Sequence, residues 1–203
     1  MKRIKIYILV LLCFACETYL QAQQSNDSVF RSGTAEKIRL ADPSVQKITT
    51  LKNRLANKNL LLFVFISPEC PICKSYAAAL NALQRQYAES VNMIGIVPGR
   101  SYSNADINAF ARKYKTIFPL LIDTKKELSN YLQAAITPEV VLLNNRYELI
   151  YRGAIDNSVT QLGGPKSNRA TEQYLEDAIS KYLQHSSIAI KRIKAVGCRI
   201  NDF

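Results

Sequence analysis

The chain has a single histidine, no tryptophan and few cysteines among its 203 residues. One histidine, His185, argues against a metal centre built on several imidazoles. Of the five cysteines only three, Cys70, Cys73 and Cys198, lie beyond the first residues, and three thiols cannot form a full disulfide framework. There is no internal repeat and no low-complexity tract, and nearly half of the residues are apolar, which excludes global disorder. Beyond the first residues, no apolar run approaches the ~20 residues a membrane-spanning helix needs. No nucleic-acid motif is present. The net charge of +11 comes from scattered Lys and Arg, with one modest cluster at Lys191, Arg192 and Lys194. It reads as a solvated basic surface, and no nucleic-acid partner is expected.

The N-terminus has the layout of a secretory signal peptide over residues 1–22. Lys2, Arg3 and Lys5 form a positive region, Ile6 to Cys16 is a short apolar run, and small-residue cleavage positions follow near Ala22. The expected destination is therefore the periplasm. An alternative is a lipoprotein anchored through Cys16, although Cys13 stands where a lipobox usually carries Leu. A buried N-terminal helix is a third reading. Contact with a membrane is expected only in the lipidated case. Residues 23–36 are polar and read as a flexible linker. Residues 37–184 read as one domain, and 185–203 as a basic, apolar C-terminal extension that contains Cys198.

Within the domain, Leu60 to Ile66 is a continuous apolar run bounded by Asn59 and Ser67-Pro68, as expected of a central strand. Ile72, Tyr76, Leu80, Leu83 and Tyr87 then recur at steps of three and four, the mark of an amphipathic helix. Val91 to Val97 is a second strand. Ser103 and Asp106 form a capping-box pattern before a helix, Leu120 to Ile122 is a short strand, and Thr124 and Glu127 repeat the capping spacing. Glu139 to Leu143 and Glu148 to Ala154 are strands joined by an Asn144-Asn145-Arg146 hairpin, Gly163-Gly164-Pro165 is a loop, and Thr171 to Gln184 is a last helix. Lys37 to Asn57 is expected to supply a first strand and a short helix. Strands alternating with helices imply an α/β fold, with a mixed central sheet flanked by helices on both faces.

Without the leader, three cysteines remain: Cys70, Cys73 and Cys198. The Cys70-Pro71-Ile72-Cys73 motif lies where the buried strand ends and the amphipathic helix starts. Two intervening residues in a first helical turn bring two sulfurs together, and the unpaired N–H groups and partial positive charge of a helix N-terminus favour thiolate. Pro71 suits an early helical position because its missing N–H costs little there. By position, Cys70 is expected to be the exposed nucleophile and Cys73 the resolving thiol. The charge of Glu69 opposes acidification of Cys70. Thr137-Pro138, directly before a strand, suggests a cis X-Pro bond that exposes the Thr137 backbone for strand-like pairing with a substrate. Thr137, Pro138, Pro71 and Ile72 are the expected substrate-binding residues. Cys198 is a third thiol whose role stays open: redox partner, cross-linking site or buried cysteine. No cofactor and no metal are expected. The alternatives are a permanent Cys70–Cys73 disulfide and a zinc site drawn from Cys70, Cys73, Cys198 and His185, where the irregular His185-to-Cys198 spacing counts against zinc.

These segments resemble the thioredoxin superfamily over roughly residues 37–184. Phe65 to Lys74 matches its strand, active-site loop and helix start, Thr137-Pro138 its cis-Pro loop, and Asn144 to Gly153 its hairpin. A closer resemblance is to bacterial peroxiredoxin-like, or redoxin, proteins related to AhpC/TSA. It rests on Thr137-Pro138-Glu139-Val140, on Tyr151-Arg152-Gly153-Ala154-Ile155-Asp156 and on Gly197-Cys198-Arg199-Ile200. The resemblance implies a thioredoxin-like fold and thiol–disulfide exchange with protein substrates or an upstream membrane electron donor. Three departures stand out. The Trp usual before the first cysteine is missing, Val64 stands where many thioredoxins carry a buried Asp, and Phe63 stands at the Pro of the peroxiredoxin Pro-x-x-x-Thr/Ser-x-x-Cys pattern. Ser67 and Cys70 keep only the second half of that pattern. Thiol peroxidase is thus the second activity, and a non-enzymatic module binding metal or a partner the third reading.

Overall fold

A computed structural model of the protein describes residues 37–54, 58–161 and 170–200. The expected leader and linker, and the Gly163-Gly164-Pro165 loop, lie outside the described residues.

Among the described residues, ten strands and four α-helices follow one another. They are β1 (Arg39–Asp42), β2 (Lys47–Thr50), β3 (Leu60–Phe65), α1 (Pro71–Gln86), β4 (Val91–Pro98), α2 (Asn104–Tyr114), β5 (Leu120–Asp123), α3 (Glu127–Tyr131), β6 (Ile136–Thr137), β7 (Glu139–Asn144), β8 (Leu149–Gly153), α4 (Tyr174–Leu183), β9 (Arg192–Ile193) and β10 (Cys198–Arg199). Eight strands form one mixed sheet in the order β2-β1-β5-β4-β3-β7-β8-β9, and β10 pairs with β6 in a separate two-stranded ladder.

β3 lies near the middle of the sheet, parallel to β4 and antiparallel to β7, and every one of its residues is buried. Alternate side chains of a strand point to opposite faces. Leu60, Leu62 and Val64 accordingly pack with Tyr76 and Leu80 of α1, Ile107 and Phe110 of α2, and Leu175 and Ile179 of α4. Leu61, Phe63 and Phe65 pack on the other face with Leu128 of α3, Leu132 and Leu40. Helices therefore cover both faces, which is why this strand is apolar throughout rather than alternating.

Helix starts follow the local chemistry. α2 carries the expected capping box, with the Ser103 and Asp106 side chains bonding each other's backbone N–H. The capping expected of Thr124 is not formed. Lys126, in the left-handed region at φ 55°, precedes α3, and Asp123 Oδ2 instead accepts from the Ser129 N–H and Oγ–H, each at 2.7 Å. α4 begins at Tyr174, not Thr171, because Asn157 Oδ1 accepts the Thr171 and Glu172 N–H groups and holds them outside the helix. Residues 37–54 form the β1–β2 hairpin and then a 3-10 helix at Lys52–Arg54, so a second strand stands between the expected first strand and the short helix.

The C-terminal segment joins the domain. β9 adds to β8 as a parallel edge strand, with the Arg152 N–H donating to Lys191 O and the Ala154 N–H to Ile193 O. Gly153 permits this approach: its φ is +125°, and a Cβ there would overlap the Ile193 carbonyl.

Candidate active site

Cys70 caps α1 with extended backbone angles (φ −64°, ψ 118°), and Pro71 opens the helix. The Cys70 carbonyl accepts the Lys74 N–H at 3.1 Å, closing the first turn. Cys73 follows on the inward face beside Tyr76 and Ala77. Ile72 is also turned inward, at 9% exposure, so Pro71 alone of the two intervening residues faces outward. The helical spacing that places Ile72 in line with Tyr76 and Leu80 accounts for this.

The Thr137-Pro138 bond is cis. The short strand β6 that ends in Thr137 faces the start of α1, and the Thr137 carbonyl oxygen lies 3.2 Å from Cys70 Sγ. Cys70, Cys73, Thr137 and Pro138 thus come together at the ends of β3 and β7 and the N-terminus of α1.

Cys70 is bonded to Cys198, 128 residues away, with Cα atoms 6.1 Å apart, while Cys73 is a free, buried thiol. The expectation of an exposed Cys70 is corrected accordingly. The residue is 2% exposed because β10 lies over it. β10 runs antiparallel to β6 with Cys198 opposite Thr137 and Arg199 opposite Ile136. The Ile200 N–H extends the ladder to Ala135 O at 2.9 Å. Gly197 lies against Thr137, and a Cβ there would overlap the Thr137 carbonyl oxygen.

Burial pushes the Cys73 thiol up to about 11, and hydrogen bonds from Ser67, Thr137 and its own backbone, with the nearby Lys74 charge, offset only part of this. The Ser67 N–H points at Cys73 Sγ from 3.5 Å. Val64 is fully buried, so no carboxylate stands at the position where many thioredoxins carry one. Against an ordinary thiol at 9.0, this depresses the Cys73 thiolate fraction at pH 8 about 100-fold. Iodoacetamide should therefore label Cys73 at least about 100 times more slowly in the folded protein than in urea, with the folded rate rising roughly tenfold per pH unit toward 11. Equal rates in the two states would contradict the assignment. The same shift acts on stability. Below pH 9 the thiol is neutral in both states, and between 9 and 11 the unfolded chain ionises first, so the fold loses stability over that window.

Several neighbours meet in ways that residue order does not show. Ser67 Oγ and Tyr102 OH are 2.7 Å apart. With Pro98 and Thr137 they line a cavity of about 40 Å³ whose far wall is Arg199 and Ile200 of the tail. Glu139 and Arg152 form a largely buried ion pair at 2.8 Å. Glu139 also accepts the Ala135 N–H, and Arg152 donates to Gln133 O, so the pair fastens the segment leading into Thr137-Pro138. Both residues lie in motifs of the redoxin resemblance, yet only the strand register shows that they meet. Tyr76 OH donates to Asp156 and contacts Ser158, tying α1 to the segment after β8. Burial, reinforced by Asp156, pushes its phenol up. His185 is exposed after α4, and among the described residues no three potential metal ligands gather.

The family model for AhpC/TSA proteins matches residues 33–155. The thioredoxin-like protein YneN of Bacillus subtilis is 26% identical over 112 residues, which are 55% of this chain and 58% of YneN; the match thus spans under two thirds of that relative. Among solved structures, a hypothetical protein of Sinorhizobium meliloti superposes with a TM-score of 0.70 at 24% identity, over 82% of this chain and 91% of that one. A secreted Mycobacterium tuberculosis disulfide oxidoreductase gives 0.54 at 14% identity, over 73% and 99%. The fold is thioredoxin-like, with a mixed sheet between helical layers.

Proposed function

Because this chain belongs to the AhpC/TSA family, we propose that it is a thiol–disulfide oxidoreductase in which Cys70 attacks and Cys73 resolves. One observation carries the reading: the sulfur of Cys70 lies beside a cis-Pro strand edge that holds an extended, cysteine-bearing peptide segment in register. A site that accepts such a segment suits a protein disulfide.

In the reducing direction, the Cys70 thiolate attacks one sulfur of a substrate disulfide. That bond breaks, the departing sulfur takes a proton, and a mixed disulfide remains on Cys70. Cys73 loses its proton and attacks Cys70 Sγ, which releases the second substrate thiol. The substrate gains two electrons, and the protein is left with a Cys70–Cys73 disulfide. A thiol donor then restores both cysteines; in the exported setting that residues 1–22 support, this donor is a membrane electron carrier. The position of Cys73 one helical turn behind Cys70 supports its resolving role, and the burial that raises its thiol pKa means that it must lose its proton before it attacks.

The test is reduction of insulin by dithiothreitol with and without the protein. Cys70→Ser should bring the rate down to that of dithiothreitol alone. A variant retaining the wild-type rate would sink the assignment. Peroxide reduction is the second reading, favoured by the Ser67-x-x-Cys70 pattern and the small Ser67–Tyr102 cavity beside Thr137. Stopped-flow oxidation of Cys70 by hydrogen peroxide far above the rate of a free thiol would favour it.

A further inference from the structure

Strand addition is a common way for a protein to hold an extended peptide. Backbone hydrogen bonds supply affinity, and alternate side chains enter the site. Here the added strand is the chain's own C-terminus. Cys198 stands opposite Thr137 and is bonded to Cys70, while the Ile200 N–H lengthens the ladder. Gly197 makes the fit by bringing the backbone onto the Thr137 carbonyl where any side chain would collide. Upstream, β9 is fastened to β8 beside Gly153. Arg199 and Ile200 close the cavity that Ser67, Tyr102 and Thr137 line on the other side.

We propose that residues 197–200 are an internal substrate strand: Cys198 occupies the peptide groove as an intramolecular mixed disulfide with Cys70, and Cys73 displaces it to admit an extended cysteine peptide of another protein. This deepens the oxidoreductase reading and rests on it.

The step balances without any outside oxidant. Cys73 gives up its proton and attacks Cys70 Sγ. The Cys70–Cys198 bond breaks, the Cys70–Cys73 bond forms, and Cys198 leaves as a thiolate that takes a proton from solvent. One disulfide and one thiol are present before and after. Cys73 is placed for this step because it is the free thiol one turn behind Cys70, against the same Thr137. Tethering favours the tail. A segment joined by a short linker acts at an effective concentration on the order of mM, so the tail outcompetes a free peptide at µM of similar affinity, and removing its fit or its sulfur should open the groove. The groove also states a preference for its visitors: an extended backbone with glycine immediately before the cysteine.

The experiment compares the full chain with Gly197→Val and Cys198→Ser. Oxidised wild type is alkylated, digested and mapped by mass spectrometry, and the reduced proteins are timed against a peptide disulfide. Wild type should show Cys70 linked to Cys198. Gly197→Val, with all three thiols kept, should shift the link to Cys70–Cys73. Both variants should reduce the peptide at least tenfold faster than wild type while keeping its circular dichroism. A Cys70–Cys73 link in wild type, or unchanged linkage and rate in Gly197→Val, overturns the internal strand while leaving the oxidoreductase reading standing. A linkage shift in Gly197→Val with no peptide reduction by any of the three proteins supports the strand and overturns the oxidoreductase reading instead.

Discussion

Replacing Arg152 with Leu is expected to destabilise the protein by about 3–5 kcal/mol, which lowers the folded-to-unfolded ratio by roughly two to four orders of magnitude. The Arg152 and Glu139 side chains are only 14% and 11% exposed and meet at 2.8 Å. Without the guanidinium, the Glu139 carboxylate stays in a low-dielectric site with the Ala135 N–H as its remaining named donor. The cost is that of an unpaired buried charge, not of a surface ion pair worth under about 1 kcal/mol. For a chain of this size the melting temperature should fall by roughly 6–20 °C. The double variant Glu139→Leu/Arg152→Leu should recover most of the loss, because no charge is then left buried. Thermal unfolding of wild type and the two variants measures both effects; a loss below about 1 kcal/mol in Arg152→Leu would show that the pair is solvated. The change should also loosen the segment before Thr137-Pro138, since the Arg152–Gln133 bond disappears with it.

This ion pair marks the boundary of what could be read from residue order. The central strand, the amphipathic helix after Cys70 and the Ser103 capping box are local patterns, and each forms as its spacing implies. The inward turn of Ile72 was implicit in the same helical spacing that places Tyr76 and Leu80. Glu139 and Arg152 are different, because they meet only through the β7–β8 register, which includes an irregularity between Leu142 and Leu143. The shortened start of α4 turns on Asn157, fourteen residues before Thr171.

The partner of Cys70 was the least legible feature. Cys73 is three residues away and Cys198 is 128 away, so spacing favours the former. What brings Cys198 in is a pair of two-residue strands, β9 and β10, too short to display an alternating pattern. Two glycines, Gly153 and Gly197, admit them by having no side chain at the contact, and that signal has no periodicity. The motif residues Cys70 and Cys73 and the Thr137-Pro138 loop were visible in the sequence, whereas the strand lying across them was not.

Covalent capture of a substrate is the second large effect. A nucleophile with no resolving thiol behind it holds its mixed disulfide, since release requires a second thiolate to attack the same sulfur. The Cys73→Ser/Cys198→Ser variant removes both intramolecular candidates and also uncovers Cys70. After reduction and exposure to a peptide disulfide, it should accumulate one half-peptide on Cys70, stable under denaturing, non-reducing conditions. The wild-type chain should accumulate essentially none, because Cys73 or Cys198 expels the peptide. Mass spectrometry with peptide mapping makes this the most direct measurement of thiol–disulfide exchange at Cys70. An adduct confined to Cys70 in the double variant and absent from wild type is the expected result. No adduct on the folded double variant, or an adduct only after unfolding, would contradict Cys70 as the exchanging thiol.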